Sequence, residues 1–202
     1  MILPYKTISA AMSQMRDGFP DWVILKRGDE WVDQQLGNLN NISGRSASER
    51  LVITYYGATG ARPLLKTGDV NGLSLGAVSH LTVFGLDFYA HTRDPNSPDF
   101  IPITESGATG VRAVGSGDNI KISDCVLRFF KLGWSAQSFN GVYRNFVIYR
   151  SIITDNYTVN TLSHSSGCYM QGIDGLTIED CFLDLNGWNE TVPDAKKTRY
   201  NH

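Results

Sequence analysis

Short runs of alternating apolar and polar residues dominate the second half of the chain. The clearest is DNIKISDCVLRFF at 118–130, which returns with few changes as DGLTIEDCFLDLN at 174–186. HLTVFGLDFYA at 80–90 and NFVIYRSIITD at 145–155 fit the same template. Such alternation is expected of strands with one buried face. The chain therefore repeats one β-unit, with loops of variable length between the copies.

The alternation shifts by one residue in the middle of each copy. Ile120 and Ile122 share one face, but Cys125 and Leu127 follow after a step of three. Because one flat strand cannot keep both pairs inside, we expect two short strands joined by a sharp bend. The residues predicted at this bend are Gly85, Asp124, Arg150 and Asp180.

A third segment of strand length precedes each pair of strands. The four examples are GLSLG (72–76), GVRAVG (110–115), SAQSF (135–139) and GCYMQG (167–172). Three strands per unit, turns of roughly 20–30 residues and variable insertions predict a parallel β-helix, in which stacked copies build one core.

Stacking in register predicts which residues lie above one another. The two expected inward ladders are Leu81–Ile120–Phe146–Leu176 and Val83–Ile122–Ile148–Ile178. Cys125 and Cys181 share a column with Ser151 between them. Two rungs at ~4.8 Å place these cysteines too far apart for a disulfide.

The first part of the chain predicts the start of the solenoid. Thr7 is placed to cap a helix with the apolar stripe Ile8, Ala11, Met12 and Met15, which ends at Asp17-Gly18. The strand WVILK follows. We expect an all-β, right-handed parallel β-helix of about five rungs with an N-terminal capping helix. It forms a single domain over 1–202, with the helix in 1–20 and the rungs in 21–202, as part of a longer chain.

The opening PYKTISAAMSQMRDGFPDWVILKRGDEW resembles that of secreted bacterial right-handed β-helix proteins of the pectin-lyase-like superfamily. There, a P-[FY]-K-T-I-x-x-A helix precedes a G-D-x-[IVL]-x-[LV]-K-x-G strand and turn. LTIEDCFLDLN is similar to the rungs of the same superfamily. The resemblance implies an extracellular or cell-surface protein of a bacterium or phage that acts on polysaccharide as a lyase or glycoside hydrolase.

Two other functions stay open. One is a non-catalytic carbohydrate-binding or adhesion module such as a phage tailspike segment, and the other is a structural stalk. None of the superfamily's catalytic signatures occurs in the chain, so no catalytic residue is assigned. No cofactor is expected, although the resemblance allows a calcium ion.

Charge and composition narrow the class of partner. The net charge of −2 gives no electrostatic case for nucleic acid or a membrane surface. No apolar run approaches the ~20 residues that span a bilayer, and the chain shows no signal peptide. Three cysteines are too few for a disulfide scaffold and lack the spacing of a zinc site.

The bend column Asp124–Arg150–Asp180 allows two interpretations. In the functional one, Arg150 is a base or an anion clamp between two acids. In the structural one, the column is a ladder of alternating charges on adjacent rungs, each pair contributing ~0.2–1 kcal/mol.

The long insertions 91–109, 156–166 and 187–202 all follow the second strand of a unit. Because the rungs are in register, we expect these loops at one edge, where they would wall a groove. Their aromatic and polar side chains suit sugar rings. The predicted substrate-binding residues are His91, Arg93, Tyr157, His164 and Trp188. The alternative is that a tyrosine or tryptophan folds down to cover its own loop.

Overall fold

Three parallel sheets wind around one core in the computed structural model, which describes residues 4–102, 107–138, 141–159, 163–192 and 200–201. Each sheet has six strands, and all paired strands within the described residues are parallel. One strand from each sheet, in chain order, makes one rung. The protein is therefore a parallel β-helix, with six rungs where about five were predicted.

The strands of each sheet have the following bounds. Sheet A contains β1 (Trp22–Lys26), β4 (Leu51–Tyr56), β7 (Leu81–Phe84), β10 (Gly117–Ser123), β13 (Tyr143–Tyr149) and β16 (Ile173–Glu179). Sheet B contains β2 (Glu30–Val32), β5 (Leu64–Lys66), β8 (Asp87–Tyr89), β11 (Val126–Arg128), β14 (Ile152–Thr154) and β17 (Phe182–Asp184). Sheet C contains β3 (Gly37–Leu39), β6 (Leu73–Leu75), β9 (Thr109–Ala113), β12 (Leu132–Gln137), β15 (His164–Gln171) and β18 (Tyr200–Asn201).

The predicted inward ladders are confirmed. Ile120 pairs with Leu81 below and Phe146 above, and Phe146 pairs with Leu176. Ile148 is fully buried in the second ladder. Burial decreases at the last rung, where the side chains of Leu176 and Ile178 are 39% and 43% exposed.

The corners of the solenoid require left-handed backbone. All four residues of the predicted bend column have positive φ: Gly85 (75°), Asp124 (55°), Arg150 (48°) and Asp180 (52°). Asn119 and Asn145, each the third residue of a sheet A strand (β10 and β13), have φ of 55° and 51°. Asparagine and aspartate tolerate this region better than most residues, which explains their recurrence at the corners.

The N-terminal helix α1 is shorter than predicted. It spans Ile8–Met12 and is capped by Thr7, whose Oγ1 accepts a hydrogen bond from the N–H of Ala10 at 3.2 Å. After Met12 the chain forms turns with shorter-range backbone bonds and reaches Gly18 at φ 74°. Ile8, Met12 and Met15 are buried on the core, which confirms the apolar stripe.

The cysteines are free thiols, as predicted for Cys125 and Cys181. Ser151 lies between them, since its Oγ accepts a hydrogen bond from the Cys125 N–H at 3.2 Å and its carbonyl accepts one from the Phe182 N–H. Burial raises the pKa of the Cys125 thiol to about 12, so this thiol is a packing group and not a nucleophile.

Candidate functional site

The insertions leave the solenoid from one edge, as their common position predicts. All follow strands of sheet B, and their first residues stack: the Gly187 N–H donates to the Asn156 carbonyl at 2.7 Å. The Asn156 side-chain amide donates to Asn186 Oδ1 at 2.6 Å. The middle insertion is shorter than predicted, because β15 begins at His164.

Arg93 joins two of these insertions from inside. Its side chain is fully buried. Its Nε donates to the Phe129 carbonyl at 2.8 Å and its Nη2 to the Tyr157 carbonyl at 2.6 Å, while Nη1 lies 3.2 Å from Asp69 Oδ1. The Tyr157 hydroxyl donates to the Arg93 carbonyl at 2.6 Å. The two residues therefore hold each other's loops in place.

Burial separates the five predicted substrate-binding residues into two groups. Tyr157 is fully buried and covers its own loop, which agrees with the alternative stated above. His91 is 3% exposed, and its Nδ1 accepts a hydrogen bond from the Gly68 N–H at 3.2 Å. Burial of His91, Arg93 and Tyr157 argues against direct contact with a glycan. His164 and Trp188 are exposed, so only these two stay available at this edge.

A group of carboxyl side chains also lies at this edge. Burial raises the pKa of Asp155, and the neighbouring negative charges of Asp94 and Asp184 add to the rise. The Tyr89 hydroxyl donates to Asp94 Oδ2 at 2.6 Å. Burial, together with this bond, raises the pKa of Tyr89 to about 12. The cluster thus places a carboxyl with a raised pKa, Asp155, near two other acidic side chains.

A groove lies elsewhere, on the outward face of sheet A. The alternation that sends the ladders inward sends Thr82 and Phe84 of β7, Lys121 of β10 and Tyr149 of β13 outward. They enclose an open cavity of about 450 Å³. We call this cavity the groove. It is lined by Arg50, Thr82, Phe84, Lys121, Ser123, Asp124, Tyr149 and Arg150.

Positive charge prevails in the groove. Its lining holds three cations, Arg50, Lys121 and Arg150, against the single carboxylate of Asp124. Arg62, outside the lining, binds that carboxylate with Nη2 2.9 Å from Oδ1 and also donates from Nε to the Asp124 carbonyl. Because the one acid is already paired and Arg50 donates to main-chain carbonyls, Lys121 and Arg150 are the lining cations left for a ligand.

Two aromatic rings lie among these cations. The Tyr149 ring centroid is 5.3 Å from Lys121 Nζ and 5.9 Å from the Arg150 guanidinium carbon. Phe84 is 36% exposed and stacks on Tyr55 with ring centroids 5.7 Å apart. The groove therefore offers ring faces beside positive charges on neighbouring rungs.

Within the described residues, the charge column does not form the ladder of ion pairs that the structural interpretation predicts. Asp124, Arg150 and Asp180 do share one corner column. However, Asp124 pairs with Arg62, and within the described residues Arg150 forms no ion pair. The ladder of alternating ion pairs is therefore absent there, and the Arg150 side chain turns to the groove beside Tyr149.

Sequence reasoning missed most of the groove. Phe84, Lys121 and Tyr149 lie at outward positions of three successive rungs. The alternation of inward and outward residues in the sequence therefore indicates that these three side chains share one face. Arg50 gave no such signal, because it precedes β4 in a loop. Its Nη1 reaches the carbonyls of Leu81 at 3.3 Å and Asn119 at 2.8 Å on the next two rungs.

Two kinds of site are absent from the residues that the structure describes: a metal-binding cluster and a membrane-spanning helix. In the part of the chain that the structure describes, no group of three or more His, Cys, Asp or Glu side chains is arranged to hold a metal ion, so no role is assigned to calcium. Among the same residues, no helix is long and apolar enough to cross a membrane.

Comparisons of the chain with protein-family models, with curated proteins and with solved structures found no match.

Proposed function

We propose that the protein binds an acidic polysaccharide in the groove on the outer face of sheet A. The observation that carries this proposal is the juxtaposition of Lys121 and Arg150 with the rings of Phe84 and Tyr149. Uronic acid units combine a carboxylate, which cations neutralise, with an apolar ring face, which aromatic side chains cover.

The rigidity of the sheet favours such binding. Most of the lining residues stand on strands β7, β10 and β13, whose backbones are hydrogen-bonded to the neighbouring rungs, so few of them have to be ordered when a ligand arrives. Successive rungs are ~4.8 Å apart. A polysaccharide laid across the strands therefore meets new side chains at each rung.

The positive surface is short. On the sixth rung, Glu179 stands above Tyr149, and Asp180 follows Arg150 in the corner column. The cations of the groove lie between these acids and the lower rungs. A local positive surface on a chain of net charge −2 suits a carboxylated chain better than the dense phosphate backbone of nucleic acid.

The sequence supports two wider proposals. The PYKTI-like opening together with the parallel β-helix supports membership of the pectin-lyase-like superfamily. By the same resemblance, the protein acts outside a bacterial cell or on a phage particle.

Affinity electrophoresis tests the binding proposal. Gels would contain polygalacturonate, alginate or neutral dextran, and wild type should be retarded by an acidic polymer and not by dextran. Lys121→Ala/Arg150→Ala should weaken binding by roughly 100-fold or more, because two charge-assisted hydrogen bonds at ~1.5–3 kcal/mol each amount to ~3–6 kcal/mol. Unretarded wild type in every acidic gel would refute the proposal and favour the structural stalk.

The matched control is Arg112→Ala/Arg144→Ala. It also removes two cations, both exposed, from outside the groove. Equal weakening by the control would show that binding follows overall charge and not this groove.

A second candidate function is glycoside hydrolysis at the insertion edge. It is favoured by the raised pKa of Asp155 beside Asp94 and Asp184, since hydrolysis needs one protonated carboxyl and one carboxylate around the scissile bond. Release of reducing ends from the bound polysaccharide measures it. Asp155→Asn should abolish release, while Asp99→Asn, an exposed acid on the same edge, should not. If wild type releases no reducing ends, the binding function stands alone.

A further inference from the structure

The outward columns that build the groove continue below it. Lys121 and Thr82 stand in one column with Val52 and, on the first rung, Trp22. Phe84 stands in the next column above Thr54 and Ile24. Both columns thus run without interruption from the groove to the first strand of the sheet.

Trp22 and Ile24 are large apolar side chains left open to solvent. They are 66% and 51% exposed, whereas Val23 and Leu25, between and beyond them, are buried in the core. Within the described residues, no ring or cation contact involves Trp22. An exposed tryptophan on a flat sheet face is a typical ligand contact.

In the two columns, short side chains separate the groove from Trp22. The residues between them are Val52, Thr54 and Thr82, whose short side chains are partly or fully buried. The nearest acid in the chain, Asp21, is paired with Arg16, which holds the pKa of Asp21 below its usual value. The lower half of the face is therefore shallow and free of unpaired negative charge.

We propose that Trp22 and Ile24 form an uncharged platform that extends the groove, so that one polysaccharide chain runs along the solenoid axis from Arg150 to Trp22. This inference rests on the proposed function. We assign the same polysaccharide to the groove and the platform because the same two columns of outward residues carry both regions. Trp22 and Lys121 lie three rungs, ~14 Å, apart. One sugar unit advances a polysaccharide by a distance comparable with one rung.

The platform gives the protein a preference for longer ligands. Short oligosaccharides fill the groove alone, while longer ones also reach Trp22. The charged side chains next to the platform are already paired, Lys26 with Asp29 and Asp21 with Arg16, so neutral or esterified units fit there beside acidic units in the groove. The site therefore selects long chains in which charged and uncharged stretches adjoin.

Binding of oligogalacturonides of increasing length tests this inference by isothermal titration calorimetry. With wild type, affinity should rise with length until a chain spans the five rungs from Trp22 to Arg150, and then level off. With Trp22→Ala, affinity for the shortest binding oligomers should be unchanged, and the longest should bind about 10-fold more weakly. Trp22→Phe keeps a ring and should retain most of the length dependence.

Phe182→Ala is the matched control. It removes another exposed aromatic side chain, on β17 of sheet B, and should leave the length dependence intact. If Trp22→Ala binds long oligomers as tightly as wild type, or if Phe182→Ala produces the same loss, the platform is refuted and the groove remains. If wild type binds no oligomer of any length, the proposed function fails and the platform fails with it.

Discussion

Replacement of Arg93 by alanine should strongly destabilise the fold, although the sequence alone suggests Arg93 as a ligand-binding residue. The guanidinium is fully buried and donates to two main-chain carbonyls, those of Phe129 and Tyr157. Alanine leaves both carbonyls without this donor. It also leaves Asp69 without its ion-pair partner.

The size of the effect follows from these contacts. Two charge-assisted hydrogen bonds to carbonyls contribute ~1.5–3 kcal/mol each. The Asp69 side chain is 35% exposed, so water replaces much of its ion pair and little is added. After partial relaxation, the free energy of unfolding should fall by about 3–5 kcal/mol, which lowers the melting temperature by roughly 6–20 °C for a chain of this size.

Urea denaturation followed by circular dichroism and by tryptophan fluorescence measures this loss. Two probes are needed because a solenoid can unfold rung by rung. Arg93→Lys keeps the charge but loses the planar fork, and should fall between wild type and alanine. Arg112→Ala, an exposed arginine on sheet C, should change stability by less than ~0.5 kcal/mol.

A small effect would refute this reasoning. If Arg93→Ala stays within ~0.5 kcal/mol of wild type, the buried fork does not hold the insertions. A ligand-binding role for Arg93 would then return, because a residue that is dispensable for folding is free to serve the site.

Three further substitutions test other parts of the structure. Ile148→Asp should lower the free energy of unfolding, measured by thermal melts, by more than ~4 kcal/mol, because it places a charge in the buried ladder. Thr177→Asp, at an outward position, should have only a small effect, and equal losses would mean that the register is wrong. Gly85→Ala should lower the free energy of unfolding by ~1–3 kcal/mol more than Gly28→Ala does. Both glycines have positive φ, but of the two only Gly85 would place a Cβ 2.2 Å from an aromatic ring, that of Tyr55. Burial raises the pKa of Asp155, so wild type loses stability as pH rises from about 4, the pKa of an unfolded aspartate, through the raised pKa. Asp155→Asn should gain stability relative to wild type over that rise, and parallel stability curves would contradict this assignment.

The register of the fold was accessible from sequence because the interior is made of repeats. The shift from Ile122 to Cys125 required a corner, and the structure places left-handed residues at that corner on four rungs. The length of α1 was not accessible. The residues after Met12 remain near the core through Met15 and extend the apolar stripe without being helical.

The candidate site was accessible only in part. The sequence identified the edge of the insertions but not that Arg93 and Tyr157 point inward, since an arginine in a loop is usually exposed. Its burial depends on the carbonyls of Phe129 and Tyr157, which come from other rungs and leave no local pattern. The groove is formed by outward residues. Packing in the core does not restrict which residues occupy these positions, so they show no repeated pattern in the sequence.

The most direct test of the central claim is the salt dependence of polysaccharide binding. Calorimetric titration of wild type and Lys121→Ala/Arg150→Ala with the acidic polymer that retards wild type, over increasing sodium chloride, separates charge contacts from all others. Wild-type affinity should fall steeply with salt. The double variant should bind more weakly, and its plot of log affinity against log salt should have a shallower slope, because about two charge contacts are lost. If the variant matched wild type in both affinity and slope, the groove on sheet A would not be the binding site.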